Sequence, residues 1–266
     1  MKVQVMTYNV HGLPWSKNQS KEIVAYIASA NPDIVCLQEV FTTELCLFFC
    51  NQLTLHGYTV KKPRDEGVSM LGSGLLTAFK SLRFFYVSAC FYPYTIYHNV
   101  EVGANKGFFT VRVEDTEAPW RRLVIANTHT QSDTLFSIFG LFTTVSETRA
   151  RQFRELVRWL ERERDPVLLL GDMNCEQSPH PHIRFLKEPL LRKATMPSTG
   201  EDIDHVAWLP TQWAPDGTSW CAFDTKGVKA TAYRVDHVPY SDHYPVVVDV
   251  SIPEIRNAQQ GECGDL

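Results

Sequence analysis

Short apolar runs recur along the chain, most of them bounded by Gly, Pro, Asn or Asp. Runs of this length between turn residues predict buried strands. They fall at Val3–Tyr8, in "PDIVCLQEV" after Pro32, and at 58–60, 74–79, 83–91, 107–113 and 122–130. Later ones are "VLLLGD" from Val167, then 202–209, a stretch near 230–235, and 244–252. A helical period appears between some of them. Ile23, Val24 and Ile27 share one face within Ser20–Ala30. "TTELCLFFCNQLTLHG" reads as a second helix, capped by Thr42 or Thr43 and ended by Gly57. The clearest helix spans Ser146–Arg164, where Ala150, Phe153, Leu156, Val157 and Leu160 make an apolar stripe opposite Arg and Glu. A short helix is expected near Pro181–Leu191.

This order of strands and helices fits two mixed sheets packed face to face with helices outside, an α/β (α+β) arrangement. No Gly/Ser linker and no internal repeat interrupts the chain, so 1–253 reads as one domain and the polar residues 254–266 as a tail.

Composition narrows the field. The chain has 266 residues, 44% hydrophobic and 21% charged, enough for a core that needs neither disulfides nor structural metal. A net charge of −4 rules out a global basic field for nucleic acid and leaves only a local basic groove. The seven cysteines include no C-x-x-C pair; that pattern fits a reducing compartment, and a cytoplasmic location is expected. Cys36 and Cys90 lie in apolar runs and read as small buried hydrophobes, while Cys46 and Cys50 share a helix face with no His at zinc-ligand spacing. The opening "MKVQVMTYNV" lacks the pattern of a signal peptide, and no segment reaches the ~18 consecutive apolar residues of a spanning helix.

Strand after strand ends in a polar cluster. "VMTYN" ends at Asn9, "IVCLQE" at Glu39, "LVIANTH" at His129, and "VLLLGDMN" at Asp172 and Asn174. "VPYSDHYP" presents Asp242 and His243 just ahead of the last strand. Each alone reads as a turn or a solvated edge. Repetition at strand after strand exceeds what turn chemistry explains, and strand ends on one rim of a sandwich can converge on a single cleft. Carboxylates and carboxamides are hard oxygen ligands, and no thiolate joins the set, which selects Mg²⁺ or Mn²⁺ over zinc. Two histidines beside such a site suit acid–base work or donation to a phosphoryl oxygen. The set points to phosphate-ester hydrolysis, which needs charge neutralisation, a placed water and a stabilised leaving group.

The stretches "TYNVHGLP", "DIVCLQEV", "NTHTQ", "LLLGDMN", "DIDHVAWL" and "SDHYPVVV" fall in that order within residues 3–250. Together they resemble the endonuclease/exonuclease/phosphatase superfamily of Mg²⁺-dependent phosphoesterases. The resemblance implies a four-layer αββα sandwich with the site at one end of the sheets. It implies that Glu39 is the principal metal ligand, supported by Asn9, with Asp242 beside the metal. Asp172 and Asn174 would orient the attacking water and bind the phosphoryl group, and His129 would donate to a phosphoryl oxygen. His243 would act as general base or transition-state donor, held by an aspartate that fixes its tautomer. Asp204 of "DIDHV" matches the family pattern for that partner, with Asp236 of "RVDHVPY" the competitor. Whether Asp172 or His243 takes the proton stays open.

Within the superfamily, three stretches are most similar to neutral sphingomyelinases: the Gly-Leu-Pro of "YNVHGLP", the strand "LGSGLLTAF", and "GANKGFFTVRV". The last would place Lys106 and Gly107 near the substrate headgroup or phosphate. Lys106 also reads as a solvated turn lysine, with Glu101 a candidate partner. Residues 134–145, "TLFSIFGLFTTV", read either as an interfacial loop that meets lipid or as a segment packed inside. The resemblance thus implies cleavage of sphingomyelin or a related phospholipid to ceramide and phosphocholine, by a monomer with peripheral membrane contact. It extends to the catalytic domain only: membrane-bound relatives carry anchors and secreted ones carry signal peptides, and neither pattern is visible. A nuclease or tyrosyl-DNA phosphodiesterase-like repair enzyme would have a nearly identical site, so nucleic acid is the alternative substrate. It calls for a basic rim with stacking aromatics, and Trp120, Arg121, Arg122, Arg192 and Lys193 offer little of one. A phosphoinositide phosphatase would want several more Lys and Arg than Lys106. A binding module without catalysis is the reading from another class, and the intact Glu39, Asp172, Asn174, Asp242 and His243 argue against it.

Overall fold

The computed structural model describes residues 1–15, 19–64, 71–97, 103–133, 144–178, 180–186, 194–209 and 228–252. In chain order the elements are β1 (Lys2–Gly12), α1 (Ser20–Ala30), β2 (Ile34–Val40), α2 (Thr43–Leu55), β3 (Tyr58–Lys61), β4 (Leu76–Lys80), β5 (Phe84–Pro93) and β6 (Gly107–Asp115). They continue with β7 (Arg122–His129), α3 (Val145–Leu160), β8 (Val167–Asp172), β9 (Arg184–Phe185), β10 (Asp204–Leu209), β11 (Lys229–Val235) and β12 (Val246–Ser251).

The strands form two six-stranded sheets, ordered β11-β12-β1-β2-β4-β3 and β5-β6-β7-β8-β10-β9. Both are mixed: β1 runs parallel to β2 in the first and β7 parallel to β8 in the second, while other neighbours are antiparallel. Strand alternation sorts the side chains into apolar layers. Val5, Ile34, Cys36 and Val248 meet Val111, Ile125, Leu168 and Val206 between the sheets. The neighbouring residues on the same strands face outward. Met6, Tyr8 and Leu37 pack against Ile23 and Ile27 of α1 and Phe49 of α2. Val124, Ala126 and Leu169 pack against Phe153, Leu156 and Leu160 of α3. The result is the four-layer αββα sandwich. A central strand covered on both faces carries an unbroken apolar run, and Val167–Asp172 is buried throughout.

Helix starts have local causes. The Thr42 hydroxyl accepts from Leu45 N–H at 3.1 Å, and the Thr144 hydroxyl accepts from Glu147 N–H at 3.1 Å. Each occupies a backbone donor that the helix itself leaves unsatisfied.

A polar network crosses the apolar interface between the sheets. Gln38 on β2 and Asn127 on β7 are fully buried. Gln38 Nε2 donates to Asn127 Oδ1 at 2.8 Å, and Thr7 Oγ1 donates to Gln38 Oε1 at 3.2 Å. Asn127 Nδ2 donates to the carbonyls of Leu37 and Leu76, both at 3.0 Å.

Two expectations are corrected. Instead of a helix near Pro181–Leu191, Arg184–Phe185 form the short strand β9 against Trp208 and Ala207. The open edge of β10 offers unpaired backbone groups that a short extended stretch can satisfy. Cys90 is exposed rather than buried, because β5 is an edge strand with little covering it. Glu101, residues 134–143, 187–193 and the tail 254–266 lie outside the described residues. Among the described residues no helix is long and apolar enough to cross a membrane.

Candidate active site

Asn9, Glu39, His129 and Asp172 sit at or near the C-terminal ends of β1, β2, β7 and β8. These four strands include both parallel pairs, so their ends come to the same rim. Asp204 opens β10 directly opposite Asp172 in the antiparallel register. Asp242 and His243 arrive on the loop ahead of β12.

Asn9 is the hinge of the group. Its Nδ2 donates to Glu39 Oε1 and to Asp172 Oδ2, both at 3.0 Å. The amide is oriented by its own backbone: His11 N–H donates to Asn9 Oδ1 at 3.1 Å. Asp172 Oδ1 accepts from Asn174 N–H at 3.0 Å. His129 Nε2 lies 3.5 Å from Asp172 Oδ2 and 3.9 Å from Glu39 Oε1.

His243 Nδ1 is 2.7 Å from Asp204 Oδ2, and its Nε2 is 3.9 Å from Asp172 Oδ2. Asp236 does not compete for it: its Oδ2 accepts from Tyr26 OH at 2.5 Å and from Arg234 Nε at 2.9 Å. Thr195 fixes this corner, since its hydroxyl accepts from Ile203 N–H at 3.0 Å and Asp204 N–H at 3.1 Å. Its carbonyl accepts from Tyr244 N–H, next to His243.

Lys106 is 2% exposed, which excludes a solvated turn lysine. Its Nζ donates to the Thr130 carbonyl at 2.8 Å and lies 3.2 Å from His129 Nε2. The same carbonyl accepts from Asn174 Nδ2 at 3.1 Å. Helix α3 holds the adjacent peptide: Gln152 Oε1 accepts from Gln131 N–H at 2.8 Å and Arg149 Nε donates to Gln131 O at 3.0 Å.

The backbone is bent where these groups meet. Three of the four described non-glycine residues with positive φ are His11 (48°), Glu39 (60°) and Asn174 (49°). Such conformations persist only where surrounding contacts enforce them. Gly171 precedes Asp172 at φ 153°, and a Cβ there would sit 1.9 Å from the Thr128 carbonyl oxygen. Close packing of β8 on β7 therefore requires glycine just before the carboxylate.

The electrostatics follow from burial and charge. Burial, then Asp204, push the Asp172 carboxyl up to about 7 against His243, Asn9 and Lys106. Burial works against the charged His243 ring, but Asp204, then Asp172 and Asp242, outweigh it and raise it to about 10. Burial, with Lys106 and His243, holds His129 well below the usual histidine range, so it is neutral. The hydrogen bond to Asp242 raises His11, and although burial opposes it, the same bond keeps Asp242 low.

Glu39, His129 and Asp172 each bring one ligand-capable atom within 4.8 Å of the others, and so do Asp172, Asp204 and His243. The second trio is held together by the His243–Asp204 bond. The first places two carboxylates around one amide, with a buried carboxyl lacking full compensation. This donor set fits a divalent cation. Asp242 belongs to neither trio: its Oδ2 is 2.7 Å from His11 Nδ1.

The structure thus gathers Asn9, Glu39, Lys106, His129, Asp172, Asn174, Asp204 and His243, with Asp242 next to them through His11. His11, Thr130, Gln131, Arg149, Gln152 and Thr195 were not legible as part of the site. His11 stood inside the quoted "YNVHGLP", and Thr130 and Gln131 inside "NTHTQ"; Arg149, Gln152 and Thr195 act by side-chain bonds to backbone groups and carry no sequence pattern.

The model of the Endonuclease/Exonuclease/phosphatase family matches residues 6–255. The chain belongs to this family of phosphoester hydrolases. No curated protein matches it. Among solved structures it is similar in fold to Streptomyces griseocarneus sphingomyelinase C, with 18% identity, TM-score 0.66, and 94% of this chain and 99% of that one covered. D. rerio TDP2 complexed with single-strand DNA product gives 14% identity, TM-score 0.69, and 94% and 99%. The human Nocturnin catalytic domain with bound sulfate gives 19%, 0.62, and 95% and 94%.

Proposed function

We propose that the protein is a Mg²⁺-dependent phosphodiesterase that releases phosphocholine from sphingomyelin or a related phospholipid. The observation that carries the lipid reading is the cleft beside Asn174. It has a volume of about 430 Å³ and is lined by Asp133, Glu176 and Glu201 against one guanidinium, Arg149. Arg149 is itself bound to Asp133 and the Gln131 carbonyl. A cleft with excess negative charge repels a polyanionic strand and suits a phosphate that carries its own ammonium group. The segment 134–145 is the proposed bilayer contact of a cytoplasmic monomer.

Glu39, Asn9 and Asp242 would hold the cation, which would neutralise charge on the phosphoryl group and the departing oxygen. Asp172 accepts a proton from the attacking water. As the water oxygen bonds to phosphorus, the opposite P–O ester bond breaks and the alcohol takes a proton from solvent. His243, cationic and held by Asp204, donates through Nε2 to a phosphoryl oxygen. Lys106 adds a fixed positive charge, and Asn174 orients the phosphoryl group.

The test compares sphingomyelin in mixed micelles with single- and double-stranded DNA and a soluble phosphoinositide, with Glu39→Gln as blank. Phosphocholine release above the blank, abolished by EDTA and restored by Mg²⁺ or Mn²⁺, is expected. DNA cleavage with inert lipid would move the activity to nucleic acid; full activity in chelator would sink the cation.

A further inference from the structure

His11 sits at a junction that the phosphodiesterase reading leaves unused. Its side chain is 37% exposed on the rim. Its Nδ1 lies 2.7 Å from Asp242 Oδ2 and 4.0 Å from Glu39 Oε2, so one imidazole spans the carboxylates of β2 and of the loop before β12. Its backbone N–H fixes the Asn9 amide, which in turn binds Glu39 and Asp172. Ser241 holds the other Asp242 oxygen at 3.2 Å and reaches back to the Asn9 carbonyl at 2.7 Å. Residue 11 adopts φ 48°, where Asn or Gly would be easier than histidine. The backbone bond to Asn9 needs no imidazole; the contact with Asp242 does.

We infer that His11 is a positioning residue for the divalent cation: its imidazole holds the Asp242 carboxylate next to Glu39, so that the two face the same ion. The inference rests on the cation reading above. Among the described residues, Asp242 without the ring is tethered only by a serine hydroxyl on a loop. With the ring in place it is held from both oxygens, and less freedom is lost when the ion enters. Residues that orient a ligand in this way typically contribute ~10- to 100-fold to metal affinity.

The test is Mn²⁺ binding to the purified full-length protein, read from the electron paramagnetic resonance signal of free Mn²⁺. It uses wild type, His11→Asn, Asp242→Asn, the double variant and Glu39→Gln. Asparagine keeps the left-handed backbone and the N–H to Asn9, so the first variant removes only the ring. His11→Asn is expected to weaken Mn²⁺ binding ~10-fold. Its thermal midpoint without metal should stay near that of wild type. The double variant should bind no worse than Asp242→Asn alone, because the ring acts through that carboxylate. Unchanged Mn²⁺ affinity in His11→Asn, or additive losses in the double variant, would overturn the inference while leaving the cation site standing. Wild-type binding that survives Glu39→Gln, or no binding at all, would overturn both.

Discussion

Lys106 Nζ lies 3.2 Å from His129 Nε2, and both side chains are buried. An ammonium has only donors, so His129 accepts through Nε2 and keeps its proton on Nδ1. Nδ1 has no hydrogen-bond partner among the described residues. In this arrangement Nε2 carries no proton to give, so the expected His129 donor is replaced by Lys106, whose ammonium is the donor toward the proposed phosphoryl position.

Lys106→Met should therefore change the histidine as well as the substrate contact. Lys106 is one of the charges holding His129 below its usual range, so its removal raises the His129 pKa. Proton NMR titration of the ring would show the upward shift, alongside a loss of ~10²- to 10³-fold in kcat. A ring that titrates as in wild type would show that the contact is electrostatically idle.

Asp172 predicts how cation binding depends on pH. Its folded pKa of about 7 lies above its ordinary 3.8, so the folded chain keeps a proton that the unfolded chain releases. Its contribution to metal-free stability is present at low pH and lost as pH rises toward 7. A cation competes with that proton and replaces its compensating effect. The gain in Tm on adding Mg²⁺ should be larger at pH 8 than at pH 6; equal gains would place the ion away from Asp172.

Asp204→Asn leaves the ring of His243 in place without its counter-charge. The His243 pKa should fall from about 10, since Asp204 is the largest influence raising it. The imidazolium, whose stabilisation of the fold is present below its unfolded pKa and lost as pH rises through about 10, then disappears at lower pH. The alkaline limb of the pH–rate profile should move down and kcat should drop ~10²-fold. A profile of wild-type shape would remove the pair from the mechanism.

Gly171→Ala tests the backbone rather than the chemistry. The added methyl would meet the Thr128 carbonyl oxygen at 1.9 Å, between two central strands that cannot separate cheaply. A loss of about 3 kcal/mol is expected from such overpacking, measurable as a fall in the urea midpoint. A midpoint within error of wild type would mean that β8 can shift away.

Much of this architecture was written in periodicity. β8 was legible because a strand buried on both faces has an unbroken apolar run, and α3 because its stripe repeats at helical spacing. Asp172, Glu39 and Asn9 stood out because a polar residue closing a buried strand conflicts with simple burial. β9 was missed because two residues carry no period, and its pairing depends on the edge of β10. The roles of Thr130, though it lies in "NTHTQ", and of Thr195 were not legible for another reason: each contributes through a carbonyl or a single hydroxyl, and any sequence supplies carbonyls. Asp204 was preferred to Asp236 on the family pattern, and the fold adds the physical reason: register places one opposite Asp172 and the other beside Tyr26.

The Gln38–Asn127 network has a mechanical consequence. The site is split between the sheets, with Asn9 and Glu39 on one and His129 and Asp172 on the other. Sliding the sheets would strand the Gln38 and Asn127 amides in a dry interior, each at a cost of ~1–3 kcal/mol. The two halves of the cleft therefore cannot work as jaws. Their gap is a fixed gauge set by the core, and under the proposed function it would admit only a phosphate that already fits between them.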